Sequence, residues 1–264
     1  MAYKPVTASL RVLDVLVAVN RASGTASVGE VHRQTGLDKA TIVRMLETLS
    51  HAGYITRETE GGSWRVTGRT LLLSCGFNRL NEIGAVVSAD LNRFRHSIGW
   101  PSDVAILDED AMIVAETSRA AEPMRFSRPS GFRAPVLLTS LGRAYLANCP
   151  GELRERFLAA ARTNPAPEFN LARDPAALDA ALEKIRAQGY ATMEDSYSSE
   201  NYDSQFFSIG VSLGTRSHTF GAMNIIYLRQ AMTPEEARDR MLAPLQDIAA
   251  TLAEKLSQQA GLVG

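Results

Sequence analysis

LDKATIVRMLETLSHAGY, residues 37–54, is the stretch that decides the fold. Its apolar residues recur at helical spacing. With Ile42 taken as the inward direction and about 100° per residue, Met45, Leu46 and Leu49 cluster with it. Ala40, Val43, Arg44, Glu47 and His51 point away, and Lys39, Thr41 and Thr48 lie on the flanks. A merely solvated helix more often carries several Glu/Lys pairs on its outer side. Small, methyl-bearing and cationic side chains suit a helix lying in the major groove of DNA. There arginine reads guanine O6 and N7, methyl groups meet thymine, and threonine and lysine reach phosphates.

The flanking segments extend this reading. Residues 7–21 form a first amphipathic helix with Leu10, Leu13, Leu16 and Val17 as its inward stripe, and Gly24 ends that region. Ser27 caps a short second helix, with Glu30 completing a capping box and Val28 and Val31 facing inward. Thr35-Gly36-Leu37 is a tight turn, and Asp38 caps the third helix. Gly53 stops that helix. YITRE and SWRVT then flank Glu60-Gly61-Gly62 as two strands of a hairpin, a wing whose Trp64 packs against the core. Residues 1–68 therefore read as a winged helix-turn-helix. The candidate DNA contacts are Ser27, Lys39, Ala40, Thr41, Val43, Arg44 and Thr48. A helical protein-interaction module is the alternative on these residues alone.

Charge is compatible with a local DNA-binding face. The whole chain carries a net charge of −1. Residues 1–68 hold eight Lys+Arg against six Asp+Glu, and the remainder 20 against 23. Residues 69–98 contain two helical patterns, RTLLLSCGFNRL and AVVSADLNRFRHSI, and read as a helical linker. It is richer in apolar residues than one packed face requires, which suits pairing of two chains. From residue 99 to 264 strand-like and helical runs interleave without a Gly-rich nucleotide loop, so the fold class is α+β. Among these runs, EDSYSSENYDSQFF reads as a long loop, either a lid or a polar surface segment.

Cys75 and Cys149 read as reduced, mostly buried thiols. The apolar run near the N-terminus is broken by Arg11 and Asp14 and reads as helix, not leader. No run is long and apolar enough to span a membrane, so the expected location is cytoplasmic. His32, His51, His96 and His218 lack metal-ligand spacing, and there is no GxSxG elbow or Walker loop. No metal, cofactor or catalytic residue is expected. An enzyme built on a spatially assembled triad and a ligand-free architectural DNA-binding protein are the other classes considered.

ASVGEVHRQTGLDKATIVRMLETLSHAGYITRE…SWRVTGRTLLLS resembles the winged helix-turn-helix of the IclR family of bacterial transcription regulators. GFRAPVLLTSLGRAYLANCP, QGYATMED and FGAMNIIYL resemble successive blocks of that family's effector-binding domain. WPSDVAILDEDAMIVAET and AMTPEEARDRMLAPLQ are similar to the branch that regulates 3-(3-hydroxyphenyl)propionate catabolism. The resemblance implies a dimer or dimer of dimers acting on double-stranded operator DNA. It also implies a PAS/GAF-like sheet whose cup, by the helix after PVLLTSLG, holds a small-molecule effector.

Carried onto this chain, the cup residues are Arg128, Arg133, Leu137, Thr139, Ser140, Leu141, Gly142, Met193, Glu194, Phe207, Asn224 and Ile226. Backbone N–H groups of Ser140 to Gly142 suit a carboxylate. Leu137 stands where much of the family has His. Met193 stands at the acidic position of glyoxylate-type members, and Asn224 and Ile226 at serine positions of small-acid members. These changes make the cup more apolar and favour a small aromatic carboxylate as effector. The alternative is a small aliphatic keto acid.

Overall fold

The structure, a computed structural model, describes residues 4–22, 25–59, 61–76, 79–118, 131–215 and 218–260. Gly24 and Arg128 lie outside the described residues. The chain divides into two compact units, Met1–Asn78 and Arg79–Gly264.

The first unit holds helices α1 (Thr7–Arg21), α2 (Val28–Thr35) and α3 (Lys39–His51). Strands β1 (Ile55–Arg57) and β2 (Trp64–Val66) follow as an antiparallel pair, and a 3-10 segment spans Gly68–Leu73. The capping box forms: Ser27 Oγ accepts from the Glu30 amide at 3.2 Å, and the Ser27 amide donates to the Glu30 carboxylate at 2.7 Å. Gly36 adopts φ 67°, a left-handed conformation that turns the chain between α2 and α3 and that favours glycine. The core gathers Val15, Val19, Val31, Ile42, Leu46 and Ile55. Trp64 joins it, and its backbone exchanges two hydrogen bonds with Ala26, so the wing is tied to the loop before α2.

The inward stripe of α1 differs from the sequence expectation. Leu16 is buried, but Leu10, Leu13 and Val17 are 49%, 56% and 46% exposed, while Val15, Ala18 and Val19 take the core positions. The helix is apolar on two sides, so spacing alone does not select the buried one.

The second unit opens with α4 (Arg79–Ile98), which packs on β4 and the C-terminal helix. The linker 69–98 is thus divided: its first part is a 3-10 segment of the first unit, its second a helix of the second. An antiparallel sheet runs in the order β5-β4-β3-β8-β7-β6. Its strands are β3 (Ser102–Asp108), β4 (Ala111–Thr117), β5 (Arg133–Pro135), β6 (Ala191–Thr192), β7 (Phe206–Gly214) and β8 (Thr219–Leu228). α5 (Ser140–Asn148), α6 (Gly151–Thr163) and α7 (Pro175–Gln188) cover one face. α4 and α9 (Pro234–Ala260) cover the other, burying Val104, Ile209, Val211, Met223 and Ile225. The residue alternation of β7 and β8 is the two-face pattern of a sheet buried on both sides.

EDSYSSENYDSQFF is not all loop but contains a helix, α8 (Asp195–Tyr202). Tyr197 is buried, and Tyr197, Tyr202 and Phe206 stack edge to face with centroids 5.7 and 6.2 Å apart. A segment so polar has no amphipathic signal, and tertiary packing of these rings holds the helix. Cys149 is buried as expected, whereas Cys75 is exposed.

Candidate functional site

In the first unit, sequence builds α3 as a two-sided helix. Asp38 caps it by accepting from the Thr41 amide at 2.9 Å, and these Thr41 hydrogen bonds hold the Asp38 carboxyl below its ordinary range. His32 Nδ1 donates to the Leu37 carbonyl at 2.6 Å, tying the turn to α2. Ile42, Leu46 and Leu49 are buried. Lys39, Ala40, Val43, Arg44 and Thr48 are exposed together on the other side, with Thr41 half-buried at its edge. Neither Lys39 nor Arg44 is ion-paired among the described residues. Thr48 Oγ1 donates back to the Arg44 carbonyl at 2.8 Å. Ser27 is different: its hydroxyl donates to Glu30 at 2.8 Å inside the capping box, so its proton is used within the fold. Exposed Arg57 and Arg65 lie on the wing, Arg65 paired with Glu58.

In the second unit, α5 lies directly on the sheet. Gly210 allows this, because a Cβ there would stand 2.8 Å from the Ser140 carbonyl oxygen. Gly142 does the same for the preceding chain, since its Cβ would meet the Val136 carbonyl oxygen at 2.2 Å. The close approach at Gly142 is therefore made by backbone. Thr139 caps α5, its Oγ1 accepting from the Gly142 amide at 3.3 Å. The Ser140 and Leu141 amides have no acceptor among the described residues, although both residues are fully buried.

A buried polar row runs out from this point. Gly210, beneath Ser140, is in register with Asn224, Asn224 with Asp103, and Asp103 with Thr117. Register partners share a face, so all lie under α5, on neighbouring strands about 4.8 Å apart. Asn224 Oδ1 accepts from the Asp103 amide at 3.0 Å, and Thr117 Oγ1 donates to Asp103 Oδ1 at 2.8 Å. Ser140 and Ser208 hydroxyls meet at 2.7 Å, beside Ile226, the register partner of Ser208. Sequence reading named Ser140 and Asn224 but missed Thr117, Ser208, Gly210 and the fully buried Asp103. Its signal was an acid at the head of an apolar strand, in WPSDVAIL.

The other expected cup residues do not converge here. Phe207 alternates with Ser208 and lies on the opposite face, edge to face with Tyr227 at 6.0 Å and under the Arg229 guanidinium. Met193 packs in that same opposite cluster, while Leu137 and Leu141 are core under α5. Glu194 pairs with Arg143, whose own pKa is lowered by burial against the pull of that partner. Arg133 pairs with Asp108 at 3.1 Å and with Asp110, at the β3–β4 turn. It aligns with Ile113, four residues along β4 from Thr117, or about 13 Å. Among the described residues, no group of His, Cys, Asp or Glu gathers as for a metal ion. No described helix is long and apolar enough to cross a membrane.

Comparison with known proteins covers both units. The profile of the IclR helix-turn-helix domain matches residues 10–59, and that of the bacterial transcriptional regulator IclR C-terminal domain matches residues 80–254. The transcriptional repressor IclR of Escherichia coli is 24% identical over 69% of this chain and 66% of its own length. The acetate operon repressor of Salmonella typhimurium is 25% identical over 54% of this chain, and the alignment spans 53% of that protein. The Pca regulon regulatory protein of Pseudomonas putida is 22% identical over 95% of this chain and 84% of its own length. Among solved structures, an IclR homologue from Microbacterium hydrocarbonoxydans complexed with 4-hydroxybenzoate superposes with a TM-score of 0.63 at 19% identity, covering 95% of this chain and 99% of that one. Thermotoga maritima IclR gives 0.61 at 16%, covering 97% and 100%.

Proposed function

The chain belongs to the IclR family of bacterial transcription regulators, and on that premise we propose that it is not an enzyme but a ligand-responsive regulator binding operator DNA through α3 and the wing. The DNA-reading head lies in Met1–Asn78 and the effector site in Arg79–Gly264. The exposed Lys39–Arg44 face supports the first part. Self-association is supported by apolar surface on the first unit: Leu10, Leu13 and Val17 on α1, and Leu71, Leu72 and Leu73 at 69%, 65% and 61% exposure.

The effector is a hydroxylated aromatic monocarboxylate. One observation carries this reading: two fully buried amides without an acceptor, Ser140 and Leu141, at the start of α5. Buried donors in folded proteins are almost always paired, so this end of α5 suits an incoming anion. The row from Gly210 to Asp103 extends about 10 Å across the strands, the length scale of a ring carrying groups at both ends. Asp103 repels a carboxylate but accepts from a hydroxyl, which orients the ligand with its acid at α5. The 4-hydroxybenzoate held by the Microbacterium homologue, and the Pca regulon relative, agree with this chemistry. An aromatic-acid operon, such as one for 3-(3-hydroxyphenyl)propionate, is the expected target. Isothermal titration of the full chain with 3-(3-hydroxyphenyl)propionate, 4-hydroxybenzoate, their amides, glyoxylate and pyruvate tests it. A hydroxyaryl acid should bind, and its amide at least about tenfold more weakly. Tighter binding of glyoxylate or pyruvate would instead establish the keto-acid reading.

A further inference from the structure

A cavity lies at the other end of the same unit, away from the buried row. Its volume is about 470 Å³, within the ordinary range for small-molecule sites. It opens between α6, the β3–β4 turn and the start of β8. Asp108, on its rim, is five residues along β3 from Asp103, or about 16 Å.

The lining combines three features. Phe157, Phe169, Phe220 and Tyr145 give aromatic walls, with Phe157 and Phe169 centroids 6.4 Å apart. Arg79 and Arg156 add two cations, neither of them ion-paired among the described residues. Of the three acids at the β3–β4 turn, Asp108 and Asp110 are held by Arg133 and Glu109 has no ion pair among the described residues, so the place for an anion is at Arg79 and Arg156. Third, Tyr145 is only 4% exposed, lines the cavity, and its hydroxyl has no hydrogen-bond partner among the described residues. Burial raises its pKa, so it remains a neutral donor.

We propose that this cavity is a second ligand site, taking an aromatic carboxylate larger than a single benzene ring. The ring lies against the phenylalanines, the carboxylate meets Arg79 and Arg156, and the Tyr145 hydroxyl donates to the same acid or to a ring substituent. A bicyclic or phenylpropanoid acid fills more of this volume than a benzoate does. Arg79 is the first residue of α4.

Naphthalene-2-carboxylate is the probe, titrated calorimetrically into the full chain alongside its neutral carboxamide. The wild type should bind the acid with at least one equivalent that Ala160→Trp removes, because Ala160 is an exposed residue of α6 on the cavity wall. Arg156→Ala should weaken that equivalent by about tenfold for the acid while leaving the carboxamide unchanged. Asn224→Leu, at the buried row, should leave it intact, which separates this site from the effector cup. The proposal is overturned if folded Ala160→Trp titrates like the wild type, or if the wild type binds no acid that this variant loses.

Discussion

Arg44 and Gly142 show how one residue is fixed by different neighbours. Arg44 stands on the exposed side of α3 without an internal partner among the described residues. A bidentate contact to a base makes Arg44→Ala cost about 1–3 kcal/mol on the operator and little on random DNA. Lys39→Ala should weaken both alike and lower the salt slope by about one. Fluorescence anisotropy over a salt series reads both effects, and equal losses on both DNAs for Arg44→Ala contradict base reading. At Gly142 the demand is internal. A Cβ there would meet the Val136 carbonyl oxygen at 2.2 Å, and backbone cannot step aside as a side-chain end can. Gly142→Ala should therefore destabilise the second unit by about 2–3 kcal/mol, measured by thermal or urea unfolding. By the same logic a tryptophan at Leu141 would report an overpacked core, because Leu141 is fully buried there.

At the scale of elements, α4 and α9 are joined by one buried acid. Asp90 on α4 pairs with Lys255 on α9 and with Arg93 one turn along its own helix. The hydrogen bond from Lys255, followed by the charges of Lys255 and Arg93, holds the Asp90 pKa below its ordinary value. A carboxylate with a lowered folded pKa adds stability that is present above the unfolded pKa and is lost as pH falls through the folded one. Asp90→Asn should cost about 1–2 kcal/mol at neutral pH. The gap to the wild type should close as pH falls below the carboxylate range. Unfolding curves from neutral to acid pH check this, and a pH-independent gap would remove the ionic contribution. Elements also differ in how openly the sequence announces them. α3 is marked by its cap, its inward stripe and its stop, whereas α8 has none of these and exists because Tyr197 has a core to enter.

At the scale of the whole molecule, α1 supports the proposed pairing of heads. The exposed Leu10, Leu13 and Val17 give α1 a second apolar side that one unit does not use. Leu13→Glu should shift the sedimentation of the protein toward monomer and reduce operator affinity, with the unfolding midpoint kept within about 0.5 kcal/mol as for a surface change. An unchanged oligomer places the contact elsewhere. The winged helix-turn-helix and the effector domain were legible in the chain, because caps, glycine turns and periodicity are local properties, whereas the separate linker read at 69–98 is divided between the two units. The exposed face of α3 was legible for the same reason. Which side of α1 is buried was not, since both sides are apolar and only packing chooses. Nor was the whole of the buried polar row, of which Ser140 and Asn224 alone were named from the chain. Ser140, Asn224, Asp103 and Thr117 meet through strand register and through glycines that let α5 settle on the sheet. Phe207 and Met193 fall on the far face by the same register. Sequence by itself determined the elements and the residue types available. Tertiary structure decided which of them share a face, because alternation across a sheet turns a one-residue difference into opposite sides of the molecule.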